Sequence, residues 1–117
     1  MKTSNLLDVA ALEAALQRFA DERDWQTYHS PKNLAMALTG EVGELVALFQ
    51  WMTEAQSWSA ARDAATSEAV HDELADVLLY LVRLSSVLGV DLNAAVVNKL
   101  KKNANKYPAG DSTPSRD

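Results

Sequence analysis

Apolar residues recur along most of the chain at spacings of three and four. Val9, Leu12, Leu16 and Phe19 form one such stripe, and Thr3, Ser4 and Asn5 before it offer capping oxygens, so a first helix is predicted over 6–23. Residues 23–29 (RDWQTYH) lose the period and read as an aromatic-rich connection. Ser30-Pro31 then opens a second helix, because serine caps and proline's fixed φ suits the first helical position. Its stripe is Leu34, Leu38, Leu45, Leu48 and Met52, which carries the prediction to 53. Small polar residues over 53–66 predict a loop with one short turn near 58–64, its Trp58 packing that loop. Thr66 or Ser67 caps a third helix with the stripe Val70, Val77, Leu81, Leu84 and Leu88, closed by Gly89 as the residue after the helix end. Asp91 caps a fourth, bearing Leu92, Ala95 and Val96 and ending near Tyr107-Pro108. Residues 109–117 predict a disordered tail behind a single domain over 1–108.

Four amphipathic helices with mostly short links predict an all-α fold, a four-helix bundle. Composition agrees, since leucine and alanine dominate and isoleucine is absent. The third helix is apolar beyond its stripe, at Leu78, Leu79 and Val82, and a helix apolar nearly all round needs cover on more than one side. A homo-oligomer is therefore expected, with a pocket completed across a subunit boundary. The net charge of −5 argues against a nucleic-acid partner, because phosphate contacts need clustered cations. The longest apolar run, 77–82, is far short of the ~20 residues that cross a bilayer, so no membrane partner is expected. No cysteine occurs, which excludes thiolate metal sites and fits a cytoplasmic location.

Two positions break the apolar register. Stepping by sevens from Leu34 to Leu48 passes through residue 41, which is Glu41, and Glu44 follows one turn on. Glu73 sits between Val70 and Val77, and Asp76 follows it at the same interval. A single Glu-x-x-Glu is ordinarily solvated surface. Two acidic pairs in the seam register of adjacent helices are different, because carboxylates are rarely buried unpaired. Two carboxylates ~4 Å apart repel by about 4 kcal/mol at an effective dielectric near 20. The second helix has no basic residue after Lys32 and the third has only Arg83, so a divalent metal is the economical partner. All-oxygen ligation suits Mg²⁺, with Mn²⁺ a substitute. A ferritin-like centre would need Glu-x-x-His pairs, and His29 and His71 are not at those spacings.

At these residues the chain resembles the MazG-like, all-α nucleoside triphosphate pyrophosphohydrolase superfamily. Glu41-Val-Gly-Glu44, a gap of 28 residues and Glu73-Leu-Ala-Asp76 match its E-x-x-E, spacer, E-x-x-D signature. Glu22-Arg-Asp-Trp25, His29, Pro31, Asn33-Leu34, Leu48-Phe49-Gln50-Trp51, the run from Asp76 through Tyr80 to Leu81, and Lys99, Asn103 and Lys106-Tyr107-Pro108 are similar to its dCTP pyrophosphatase branch. The resemblance implies hydrolysis of a nucleoside triphosphate, dCTP or a modified dCTP, between the α and β phosphates. It implies Mg²⁺ held by Glu41, Glu44, Glu73 and Asp76, with Glu41 or Glu44 as general base. It places Trp25, His29, Trp51 and Tyr80 at the nucleobase and sugar, and implies dimers or tetramers, a tetramer being favoured here.

The phosphate side also has support from the residues themselves. Lys99, Asn103 and Lys106 share one face of the fourth helix, continuing its apolar stripe, and lysine is a usual partner for phosphate. Lys101 and Lys102 are explained by the helix dipole alone. Read without the resemblance, Trp51 and Tyr80 are core residues, whereas Trp25 in a connection points to base stacking. Asn33 is a candidate sugar or phosphate contact, and His71 and Asp72 are expected to face solvent. Residues 53–66 carry no family residues, which leaves base preference open. Other branches (a dUTP or phosphoribosyl-ATP hydrolase) and a non-enzymatic, metal-stabilised interaction module are the alternatives.

Overall fold

Residues 7–110 are described by a computed structural model in which every regular element is helical. Helix α1 spans Val9–Glu22, α2 Pro31–Phe49, α3 Glu54–Ser57, α4 Ser67–Leu88 and α5 Leu92–Lys106, with a 3-10 turn at Gln26–Tyr28. The four long helices are the predicted four. None of the described helices is long and apolar enough to cross a membrane.

The ends are set by local chemistry. The Asp8 carboxylate accepts from the Ala11 amide at 2.9 Å and starts α1, later than predicted. The proposed caps Thr3, Ser4 and Asn5 lie outside the described residues, as does 111–117 of the predicted tail. Ser30 caps α2 by accepting from the Asn33 amide, and Asp91 caps α5 by accepting from the Ala94 amide. Helix α2 was expected to reach residue 53 but stops at Phe49. Thr53 instead closes a capping box with Gln56: its Oγ1 accepts from the Gln56 amide, and its own amide donates to Gln56 Oε1. That nucleates α3 and forces the chain to turn just before it. Thr66 precedes α4, but its hydroxyl donates to the Ala60 carbonyl at 2.6 Å and does not cap the helix. The Ser67 hydroxyl donates to the Ala61 carbonyl, so two hydroxyls fasten the 58–66 segment onto the start of α4. Trp58, expected to pack this loop, is 82% exposed.

Gly89 ends α4 at φ 71°, a left-handed conformation that costs residues with a Cβ about 1–2 kcal/mol. Its amide donates back to α4, as does that of Val90 to the Ser85 carbonyl. Gly89→Ala should therefore destabilise the protein by about 1 kcal/mol, read as a lower midpoint in urea unfolding.

Helices α2 and α4 lie along one another, and α1 packs on α4. The core is small: Ala20, Leu34, Ala60, Val70 and Val82 are its buried apolar residues. Val82, assigned from the pattern to an outer face, is fully buried, whereas Leu81 and Leu88 of the predicted stripe are exposed. Helix α5 has no comparable seat on any other helix, and Val96, Val97 and Leu100 on it are at least half exposed. Its stripe therefore has little core beneath it among the described residues.

Candidate metal centre and adjoining cleft

The α2–α4 seam brings the acids together. Leu34 is buried one heptad before Glu41, and Val70 is buried one turn before Glu73, so the packing that hides those apolar residues turns the acids into the same interface. Glu41, Glu73 and Asp76 are half-buried, and one oxygen of each lies within 4.8 Å of the others. Glu44 reaches the Glu41 carboxyl but is exposed and stands outside this trio. None of the four has an ion-pair partner among the described residues. His71 and Asp72 face solvent, as expected.

The electrostatic consequence is concentrated on Glu41. Its pKa is pushed up to about 7, first by a hydrogen bond with Glu44, then by desolvation and a hydrogen bond with Glu73, then by the charges of Glu44 and Asp76. Those carboxyl–carboxyl bonds exist only while a proton is shared. Glu73 Oε1 is buried and has no hydrogen-bond partner. Three clustered carboxylates, one with a buried unpartnered oxygen and none ion-paired to a lysine or arginine among the described residues, are a donor set suited to a hard divalent cation. The residues fit such an ion.

Without an ion the cluster makes stability fall with pH. Folded Glu41 keeps its proton up to about pH 7, against 4.5 for an ordinary glutamate, so the folded chain binds more protons than the unfolded one between those values. Its contribution is complete at low pH and is lost as pH rises through that window. In EDTA, the melting temperature of wild type should drop more between pH 5 and pH 8 than that of Glu41→Gln. Mg²⁺ should flatten the difference.

Asp76 also borders a cleft of about 450 Å³ between α1 and α4, whose wall includes Leu16, Phe19, Trp25, His29, Tyr80 and Arg83. A second cleft of about 300 Å³ shares Trp25, His29 and Tyr80 and adds Asn33. The Trp25 ring meets Phe19 edge-on at 5.5 Å and His29 at 5.8 Å. Three of the four residues assigned to a base pocket thus sit together, beside the acids. Tyr80 is only part-buried. Trp51 is different: it is 89% exposed and lines neither cleft, so among the described residues it joins neither the core nor the pocket. Asn33 donates from Nδ2 to the Tyr28 carbonyl at 3.2 Å, which gives it a structural task in holding the connection. Lys99, Asn103 and Lys106 lie on α5, which among the described residues makes no extensive contact with α2 or α4 comparable to that between α2 and α4 themselves. The site residue that sequence reasoning passed over is Arg83. It is 5% exposed and hydrogen-bonds His29 and Gln17. The available signal was an arginine in an apolar stretch with no acid one turn away.

An all-helical chain with three inward carboxylates in one helix seam and an aromatic cleft at their side defines the class. A family profile described as the MazG-like family matches residues 37–115, and the chain belongs to that family. It is 48% identical to human dCTP pyrophosphatase 1 over 108 residues, covering 89% of this chain and 59% of the relative. Against the rat protein of the same name it is 46% identical over 103 residues, covering 88% and 59%. The chain therefore spans 59% of the length of these curated relatives. Among solved structures, a pyrophosphatase from Archaeoglobus fulgidus superposes with a TM-score of 0.79 at 36% identity, covering 89% of this chain and 95% of that one.

Proposed function

We propose that this protein hydrolyses a nucleoside triphosphate, dCTP or a 5-modified dCTP, to the monophosphate and pyrophosphate, clearing surplus or altered nucleotides in the cytoplasm. The observation that carries the reading is the shared residue. Asp76 belongs both to the carboxylate trio and to the wall of the aromatic cleft, so triphosphate and base can be held at once. The relatives named for dCTP supply the substrate class.

Glu41, Glu73 and Asp76 would hold Mg²⁺, or Mn²⁺ in its place, and the ion when bound would neutralise phosphate oxygens and polarise the reacting phosphorus centre. Glu44, beside the trio and open to solvent, would take the proton of the attacking water, a reading supported by its exposure and its contact with Glu41. One water is consumed, the phosphorus–oxygen bond between α and β phosphates breaks, and pyrophosphate leaves. Trp25 and Tyr80 supply flat surfaces for the base, each stacking contact being worth ~1–3 kcal/mol.

The site is proposed to be completed by a second copy of the chain. Helix α2, 19 residues long, is a rod of ~28 Å, and Trp25 and Trp51 lie beyond opposite ends of it. A base pocket using both tryptophans needs Trp51 from a neighbour. The same assembly, a tetramer by preference, would cover α5 and bring Lys99, Asn103 and Lys106 to the phosphates.

The test is a panel of canonical and 5-modified nucleoside triphosphates with and without EDTA. Pyrophosphate release, fastest with deoxycytidine substrates and abolished by EDTA, is expected. Release of orthophosphate, or no turnover across the panel, would reject the proposal.

A further inference from the structure

Arg83 is a buried cation with no carboxylate against it among the described residues. Its polar partners form a chain in which every direction is fixed by chemistry. The Asp21 carboxylate can only accept, and Gln17 Nε2 donates to it at 2.8 Å. The Gln17 amide is thereby oriented with Oε1 inward, where it accepts from Arg83 Nη1 at 2.8 Å. A guanidinium can only donate, so the bond of 3.0 Å from Arg83 Nε makes His29 Nδ1 the acceptor. A nitrogen that accepts carries no proton. The proton of the neutral ring is then on Nε2, which has no partner among the described residues and belongs to a ring that lines both clefts.

We propose that Arg83 is a positioning residue which, anchored by Gln17, holds the His29 imidazole as its Nε2–H tautomer and so presents one fixed hydrogen-bond donor to an acceptor on the base or sugar of a bound nucleotide. The ligand half of this rests on the function proposed above; the tautomer half does not. The surroundings favour a neutral ring: burial first, and the adjacent guanidinium second, hold the His29 pKa below its ordinary value. A neutral imidazole bonded at Nδ1 offers a donor and no acceptor. It therefore suits a carbonyl or ring-nitrogen acceptor, such as O2 or N3 of a cytosine, and leaves an N–H group in the same place unpaired.

The test uses the full chain labelled with ¹⁵N. Long-range ¹H–¹⁵N spectra of wild type at neutral pH should show one unprotonated ring nitrogen for His29, correlated mainly with Hε1, which identifies Nδ1. In Arg83→Met the two ring nitrogens should move toward averaged, exchanging shifts, and Arg83→Lys, which keeps a donor, should restore much of the wild-type pattern. In turnover assays Arg83→Met should raise KM for the best substrate roughly tenfold, the scale of one hydrogen bond to a fixed donor, with kcat within about twofold. Should Arg83→Met fail to fold, the wild-type spectrum and Arg83→Lys still decide. A wild-type ring protonated at Nδ1 would overturn the tautomer, even with full turnover. A wild-type ring protonated at Nε2 in a protein that turns over no nucleotide would overturn the ligand half and the proposed function with it. A fall in kcat with KM unchanged in Arg83→Met would reject the positioning role.

Discussion

Glu73→Gln should lower turnover by roughly three orders of magnitude while raising the melting temperature of the metal-free protein. The two effects have one cause. The Glu73 carboxylate puts a buried, unpartnered oxygen into the seam, and one of its two oxygens lies within 4.8 Å of an oxygen of Glu41 and one of Asp76. With a divalent cation bound this carboxylate would be a ligand, and losing the several kcal/mol of charge stabilisation an ion would supply at phosphorus corresponds to about a thousandfold in rate. Without a cation, and once Glu41 has lost its proton above about pH 7, this carboxylate repels its neighbours, so a neutral amide of similar shape relieves the repulsion. Glu44→Gln should separate from it. Glu44 stands outside the trio, so Mn²⁺ affinity measured by electron paramagnetic resonance should survive, while kcat falls by roughly 10²–10⁴-fold through loss of the proton acceptor. If Glu73→Gln keeps both Mn²⁺ affinity and turnover, the trio is not a metal centre.

Leu100→Asp should break the assembly and abolish activity with it. Leu100 is 63% exposed on α5, one turn from Val96 and Val97, and this apolar face has no extensive seat on another helix among the described residues. A face of that kind is stable in water only when covered. Light scattering on the wild type should give a multiple of 12.8 kDa, four by preference, and the variant should approach the single-chain value. Activity should fall because the pocket loses Trp51 and the α5 lysines at one stroke. A complementation assay checks the shared site directly. Glu73→Gln is impaired at the acids, and Trp51→Ala should be impaired at the base by the ~1–3 kcal/mol of a stacking contact. Mixed and reassembled, they should regain wild-type-like sites in which the intact acids of one chain meet the intact tryptophan of another. Wild type eluting at 12.8 kDa would defeat both the assembly and the shared pocket.

Much of this molecule was legible before any coordinates. The Ser30-Pro31 start, the Asp91 cap and the Gly89 stop are local events, decided within a few residues by which side chain can reach which amide and which φ is affordable without a Cβ. Glu41 and Glu73 were legible for a different reason: an acid in a leucine register conflicts with burial, and the conflict shows in one dimension. The end of α2 was less visible, because it depends on a contest. The stripe continues to Met52, but the capping box between Thr53 and Gln56 claims the backbone first.

The sequence by itself determined that the chain is helical, where most helices begin, and that acids on two helices interrupt an apolar register. These follow from short-range geometry, namely 3.6 residues per turn and the few bonds that end a helix. Only the tertiary structure decided which apolar positions are covered, that Glu44 touches Glu41 yet stays exposed outside the trio of Glu41, Glu73 and Asp76, that Trp51 is separated from Trp25 by the length of α2, and that Arg83 reaches His29 and Gln17 across 54 and 66 residues of chain. A periodic pattern defines a face of a helix. What that face meets depends on how the helices cross, and crossing is set by the packing of all of them together.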